Sequence, residues 1–226
     1  MNEKLMIALR SNAANDYLKE INYTGYLRDQ ELGKIKLPTG KIVANDPLIA
    51  EETEPFTICV TPGEYPVMLY VNHSDGDQRV AFAEIRFLED MPVRFAPALV
   101  EGQDLEELEE DEVFCYGVDT GTGCFMDEQT SQKLVNIFES FDENALPESF
   151  DEGSIFPELP ELGDMLDESY VDTYMTANYV LPGTELNIVA FSSGYGDGAY
   201  PSYWGYDASG NICCLITDFY VIDLEP

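Results

Sequence analysis

The residues of this chain best placed to do chemistry are four aspartates in two glycine-rich stretches. GVDTGTGCFMD (117–127) carries Asp119 and Asp127, and SSGYGDGAYPSYWGYDASG (192–210) carries Asp197 and Asp207. Hard divalent cations want several oxygen ligands. Convergence of Asp119, Asp197 and Asp207 would therefore make a Ca²⁺ or Mg²⁺ site, and with it a metal-assisted hydrolase or a small-molecule-binding enzyme. Arg79, Arg86 or Arg94 could then clamp an anionic group. The spacing matches no EF-hand loop or other fixed calcium pattern. Asp127 stands where a helix N-cap is expected, and Asp207-Ala-Ser-Gly210 reads as a hairpin turn. Ser193 lies in S-S-G-Y-G, which departs from G-x-S-x-G because Phe191 occupies the place of the first glycine. The usual base is missing, since His73 is the one histidine and sits in a turn-like NHSDGD. Neither GTGC nor GYGDG is followed by the lysine of a phosphate loop. No catalytic residue is assigned, no cofactor is expected, and the reading leans against an enzyme.

The same block offers a second chemistry. It holds Tyr195, Tyr200, Tyr203 and the one tryptophan, Trp204, side chains with flat apolar faces and a polar tip that suit a contact surface. Charge points the same way. Of the 226 residues, the first 99 hold 10 basic and 15 acidic side chains, while residues 100–226 hold 1 basic and 29 acidic, so nearly all of the net −33 lies on the second half. Lys133 is the last basic residue and 18 acids follow it. Such a field repels nucleic acid and anionic membrane and attracts basic surfaces. The expectation is a non-enzymatic binding protein that neutralises a basic protein partner, as an immunity protein does, with Tyr195, Tyr200, Tyr203 and Trp204 as contacts and Asp104, Glu106, Glu107 and Glu109 at the rim. Partner identity and oligomeric state are not readable.

The N-terminus shows no signal-peptide pattern, and no run approaches the roughly 20 apolar residues of a membrane helix. Five cysteines in a chain read as unsecreted point to reduced thiols in a cytoplasm. Their spacings match no zinc motif. Adjacent Cys213 and Cys214 in a strand should face opposite ways as inert core thiols.

The elements that must position these residues follow from periodicity. Leu5, Leu9, Ala13, Tyr17 and Ile21 predict one helix over 3–21. Strands are expected at 41–44 and 113–118, at 56–60 and 65–71 joined by a Thr-Pro-Gly-Glu turn as a hairpin, and at 79–88 as a central strand in which Glu84 and Arg86 pair. Asp127 should cap a helix over 128–141 with Leu134, Ile137, Phe138 and Phe141 on its apolar stripe. A short helix near 161–169 and strands at 187–192, 211–217 and 219–222 complete the pattern. Helix, strands, helix, strands argues for an α+β fold, mainly an antiparallel β-sheet or sandwich with an N-terminal helix and one or two more. A single domain over 1–226 is expected, with acidic insert-like segments at 101–112 and 142–169, the former a solvated loop.

The segments LPTGKIVANDPL (37–48), PGEYPV (62–67), RVAFAEIRF (79–87), GVDTGTGCFMD and NIVAFSSGYGDGAYPSYWGYDASGNI (187–212) resemble a bacterial family called domain of unknown function 4241. The last segment is its most specific part, and the two acidic inserts have no place in the resemblance. The resemblance implies one domain and no established activity, and it supplies no catalytic residues. Families of this kind often accompany toxin and immunity genes, which is an argument by analogy.

Overall fold

A computed structural model describes residues 3–11, 13–49, 52–109, 112–141 and 159–222. The elements in chain order are α1 (Glu3–Leu9), α2 (Ala14–Glu20), β1 (Tyr26–Leu37), β2 (Ile42–Asn45), β3 (Gly63–Ser74), β4 (Asp77–Arg86), β5 (Arg94–Pro97), a 3₁₀ turn at Leu105–Glu107, β6 (Tyr116–Val118), β7 (Thr122–Asp127), α3 (Glu128–Ser140), α4 (Pro160–Ser169), β8 (Thr176–Val180), β9 (Asn187–Ser192), β10 (Gly198–Tyr200), β11 (Ser202–Tyr206) and β12 (Ile212–Asp218). The fold is α+β and rich in antiparallel sheet. One sheet of six strands has the order β1-β3-β4-β12-β11-β5, a second of four has β2-β7-β9-β8, and β6 pairs with β10.

Alternation along the strands explains the layering. In β7 and β9, Phe125, Val189 and Phe191 join the main core with the six-stranded sheet. Cys124, Met126, Ile188 and Ala190 point the other way, into a second core closed by Leu134 of α3 and Leu162 and Leu166 of α4. Residues opposite in register share a face, so Ile85, Leu215 and Trp204 look one way and Glu84 and Ile216 the other. Trp204 meets Phe56 edge-on at 6.2 Å. The Glu84 face is covered by the N-terminal helices, whose Leu5, Met6, Leu9 and Leu18 are buried.

Several expectations hold. β4 lies in the interior of its sheet, Glu84 and Arg86 pair at 2.9 Å, and the Asp127 carboxylate accepts from the Gln129 amide at the start of α3. The single helix over 3–21 is instead two, separated at Arg10, whose side chain turns inward to bond the carbonyls of Leu88 and Asp90. The 56–60/65–71 hairpin does not form. Both edges of β3 are taken, by β1 and β4, and the run at 56–60 docks elsewhere: Phe56 N–H bonds Ile42 O, Thr57 N–H bonds Leu99 O, and Val60 N–H bonds Gly40 O. No strand covers 219–222, because Tyr220 takes a left-handed conformation (φ 55°) that ends β12. Within 113–118 only Tyr116–Val118 is strand. The short helix near 161–169 is α4, starting at Pro160. Of the acidic inserts, 110–111 and 142–158 lie outside the described residues.

β1 has no counterpart in the sequence reading. Its outer edge is finished by side chains from the other sheet. Asn178 and Asn187 donate to Leu32 O and Lys34 O, and Asn187 Oδ1 accepts from Lys36 N–H. Amides thus take the place of a neighbouring strand.

Candidate functional site

The 192–210 block is laced together from within. Ser193 Oγ donates to Gly196 O, and the Tyr200 hydroxyl bonds the carbonyls of Ser193 and Gly196. Gly194 is left-handed (φ 57°), and a Cβ there would lie 2.8 Å from Phe219 O, so only glycine fits. Tyr200, Tyr203 and Trp204 are buried, Trp204 completely. They pack the core in place of forming the expected contact surface: Tyr203 and Trp204 lie on β11, an interior strand of the large sheet, and Tyr200 ends β10 with its ring 5.0 Å from that of Phe219. Tyr195, 67% exposed, keeps a surface position, with the Arg79 guanidinium 5.4 Å from its ring.

The three aspartates of the metal expectation occupy different settings. Asp119 and Asp197 flank the paired ends of β6 and β10. Asp207 lies beyond the far end of β11, a five-residue strand spanning roughly 17 Å. There it fastens its own turn by accepting from Ser209 N–H, Asn211 N–H and Asn211 Nδ2. These bonds hold its carboxyl below the usual carboxylate range. Among the described residues no group of three or more His, Cys, Asp or Glu side chains is arranged to hold a metal ion. The arginines proposed as anion clamps are engaged: Arg79 with Asp77, Arg86 with Glu84, and Arg94 over the Tyr206 ring at 3.7 Å. His73, the last residue but one of β3, stacks on Tyr26 at 4.8 Å, and burial lowers its pKa.

What sequence reasoning missed is a cavity of about 370 Å³ beside the second sheet. Its floor comes from the end of β2. Asp46 is buried and its carboxylate gathers donors from two loops: Leu48 N–H, Asp119 N–H, and both the amide and hydroxyl of Thr120, at 2.7 to 3.0 Å. This ties the β2 exit to the β6–β7 turn. Asn45 beside it donates to Thr53 Oγ1 and accepts from the Cys124 thiol. Phe56, Ala98 and Val100 form an apolar wall, and Phe114, Cys115 and Tyr116 close the other side. Burial raises the Cys115 thiol. Burial also pushes the Tyr116 phenol far up, and its hydroxyl makes no well-formed hydrogen bond.

Among the described residues, every charged one lining this cavity is an acid: Asp46, Glu52, Glu54 and Asp119. On the far side of the 52–55 segment a second hollow, about 280 Å³, adds Glu128 and Glu139 to the lining, with Glu128 paired to Lys41 at 2.9 Å. Gln103 also lines the main cavity, and the acidic turn begins at the next residue. Asp104 caps that turn by accepting from Glu106 N–H, and Asp104, Glu106, Glu107 and Glu109 are exposed, as a rim requires. The sequence signal that could have marked the cavity is NDP at 45–47, where an Asx residue before proline stops a strand.

A contrasting charged cluster lies under the N-terminal helices. Glu84, 1% exposed, meets Arg10 at 3.2 Å and Arg86 at 2.9 Å and accepts from the Tyr70 hydroxyl at 2.6 Å. Beside it the β11–β12 ladder shifts register between Gly205 and Tyr206, leaving Cys213 without a residue opposite. This bulge overturns the expectation that the two thiols face apart. The Cys213 thiol donates to Gly205 O; the neighbouring Cys214 thiol and the Arg10 charge hold Cys213 below its ordinary value, while Cys213 and burial drive Cys214 up.

A family model described as protein of unknown function (DUF4241) matches residues 35–217. No curated protein and no solved structure gives a match. Among the described residues no helix is long and apolar enough to cross a membrane.

Proposed function

The chain belongs to the DUF4241 family, and we propose that this member is a non-enzymatic binding protein whose acidic face neutralises a basic protein partner, as an immunity protein does. The observation that carries the reading is the single sign of charge among the described residues that line the main cavity. A concave surface lined by carboxylates focuses negative potential and speeds the approach of a cationic surface. The exposed acids at 104–109 widen this face, and Tyr195 is the one aromatic of the original four left to contribute a ring. The saturated hydrogen bonding of Asp207 and the distance between its turn and Asp197 give no support to metal-assisted hydrolysis. The expected setting is cytoplasmic.

The test is retention of protein from an extract of the source cell on the immobilised chain at about 50 mM and about 500 mM salt, which differ roughly threefold in screening length. The expected outcome is a strongly basic protein held at low salt and released at high salt, whose purified form then binds with a salt-dependent association rate. Failure to retain any basic protein at low salt sinks the proposal.

A further inference from the structure

Resting on that reading, we infer that the 370 Å³ cavity receives the side chain of a lysine from the partner, its ammonium seated toward Asp46. The volume is roughly twelve times the ~30 Å³ share of one water in the liquid, ample for a four-carbon stem and its head. The stem would lie along Phe56, Ala98 and Val100. The head would meet Asp46, which is 4% exposed and accepts only from neutral donors. Asp46 takes part in no ion pair among the described residues, so it is a buried carboxylate without a counter-ion. Its hydrogen bonds compensate its burial without supplying a positive charge, so the cavity keeps a negative potential that draws a cation. Glu52, Glu54 and Asp119 at the mouth add to the attraction.

The geometry also selects between the two basic side chains. Arginine is best bound by a carboxylate with both oxygens open to its planar fork. Both Asp46 oxygens already accept at least two bonds each. What is left is a charge, and a compact ammonium on a flexible stem reads a charge without needing the fork.

The experiment is calorimetric titration of the whole chain at low salt and pH 7 with acetylated, amidated pentapeptides of glycine bearing a central lysine, a central arginine or neither, and with spermidine. The lysine peptide is expected to bind about tenfold more tightly than the arginine peptide, a difference of about 1.4 kcal/mol, with the all-glycine peptide silent. Val100→Phe, which fills the cavity, should weaken the lysine peptide at least tenfold. Asp119→Asn, at an exposed mouth position, should weaken it about threefold and covers the case in which Val100→Phe does not fold. Neutralising Asp104, Glu106 and Glu107 together should change it less than twofold. Equal binding of lysine and arginine peptides, unmoved by Val100→Phe, overturns the lysine site while leaving the basic-partner reading standing. Spermidine bound in the cavity at least tenfold more tightly than the lysine peptide assigns the site to free polyamines and overturns the partner side chain as the occupant. A lysine peptide held in the cavity by a chain that retains no basic protein leaves the site intact and removes the partner.

Discussion

The two buried carboxylates Asp46 and Glu84 are handled in opposite ways. Glu84 sits between two guanidiniums and a phenol, under a lid of helices, so both signs of charge are present. Asp46 sits at the bottom of an open hollow and is held by amides and a hydroxyl alone, with more acids around it. A carboxylate matched by cations within its own chain is committed to the fold. One left with neutral donors in a concavity keeps an electrostatic demand that an incoming cation can meet. The contrast is also with the Gly/Tyr/Trp block, whose composition advertises a surface while Tyr200, Tyr203 and Trp204 are packed inside.

The sharpest way to break the contrast is at Glu84. Glu84→Gln leaves Arg10 and Arg86 facing each other without their anion, and denaturant titration should show a loss of about 3–5 kcal/mol. A loss below about 1 kcal/mol would show that the network contributes little to stability. Asp46→Ala removes an acceptor from four donors on two loops and should cost about 3 kcal/mol, read in the same way. If the contrast is right, lysine-peptide binding falls with Asp46→Ala and is unmoved in the folded fraction of Glu84→Gln.

How much of this was legible in the residues divides along physical lines. Strand alternation at 79–88, the Asp127 cap and the turn-forming Asp207 are local signals, and each sits where the local rule puts it. β1 was silent because YLRDQELGKIKL has polar residues throughout, and its register slips between Glu31 and Lys34, where Gly33 is left-handed. Its place in the sheet depends on β3 and on two asparagines more than 140 residues away. The hairpin at 56–71 failed for the complementary reason: its turn residues were right, but more distant strands claimed both edges of β3. Burial of Trp204 and Tyr203 was hidden because aromatic content fits a core and a contact surface equally well. The cavity joins β2, the 52–56 segment, the 98–103 segment after β5, and β6, with only the first two close in sequence, so no window of residues shows it.

A third carboxylate sharpens the comparison further. Asp218 at the end of β12 is buried, and desolvation raises its pKa from 3.8 to about 6 against one backbone bond from Tyr220. The folded state therefore disfavours its ionised form. That penalty is full above about pH 6 and disappears as pH falls toward 4. Asp218→Asn is expected to stabilise the protein by about 2 kcal/mol at pH 7, with the difference closing by about pH 4 in melts across that range. A variant less stable than the parent at pH 7 would show that the Tyr220 bond outweighs burial. The smallest effect belongs to the rim. Glu52→Gln with Glu54→Gln should change stability by no more than about 0.5 kcal/mol. It should nevertheless slow association with a basic protein several-fold at low salt and hardly at all at high salt, measured by stopped flow.

Arg10 gives the first helix a role beyond covering a sheet. The residue precedes the stretch shared with the family, yet its guanidinium reaches the Glu84 carboxylate in the middle of β4 and ties down two carbonyls on the way. Cleavage or fusion that draws the first dozen residues away would withdraw a cation from the protein's interior. Trimming to the shared span is thus not a neutral choice of boundary: the shortened chain would leave Glu84 with Arg86 as its one cation and open that sheet face to water.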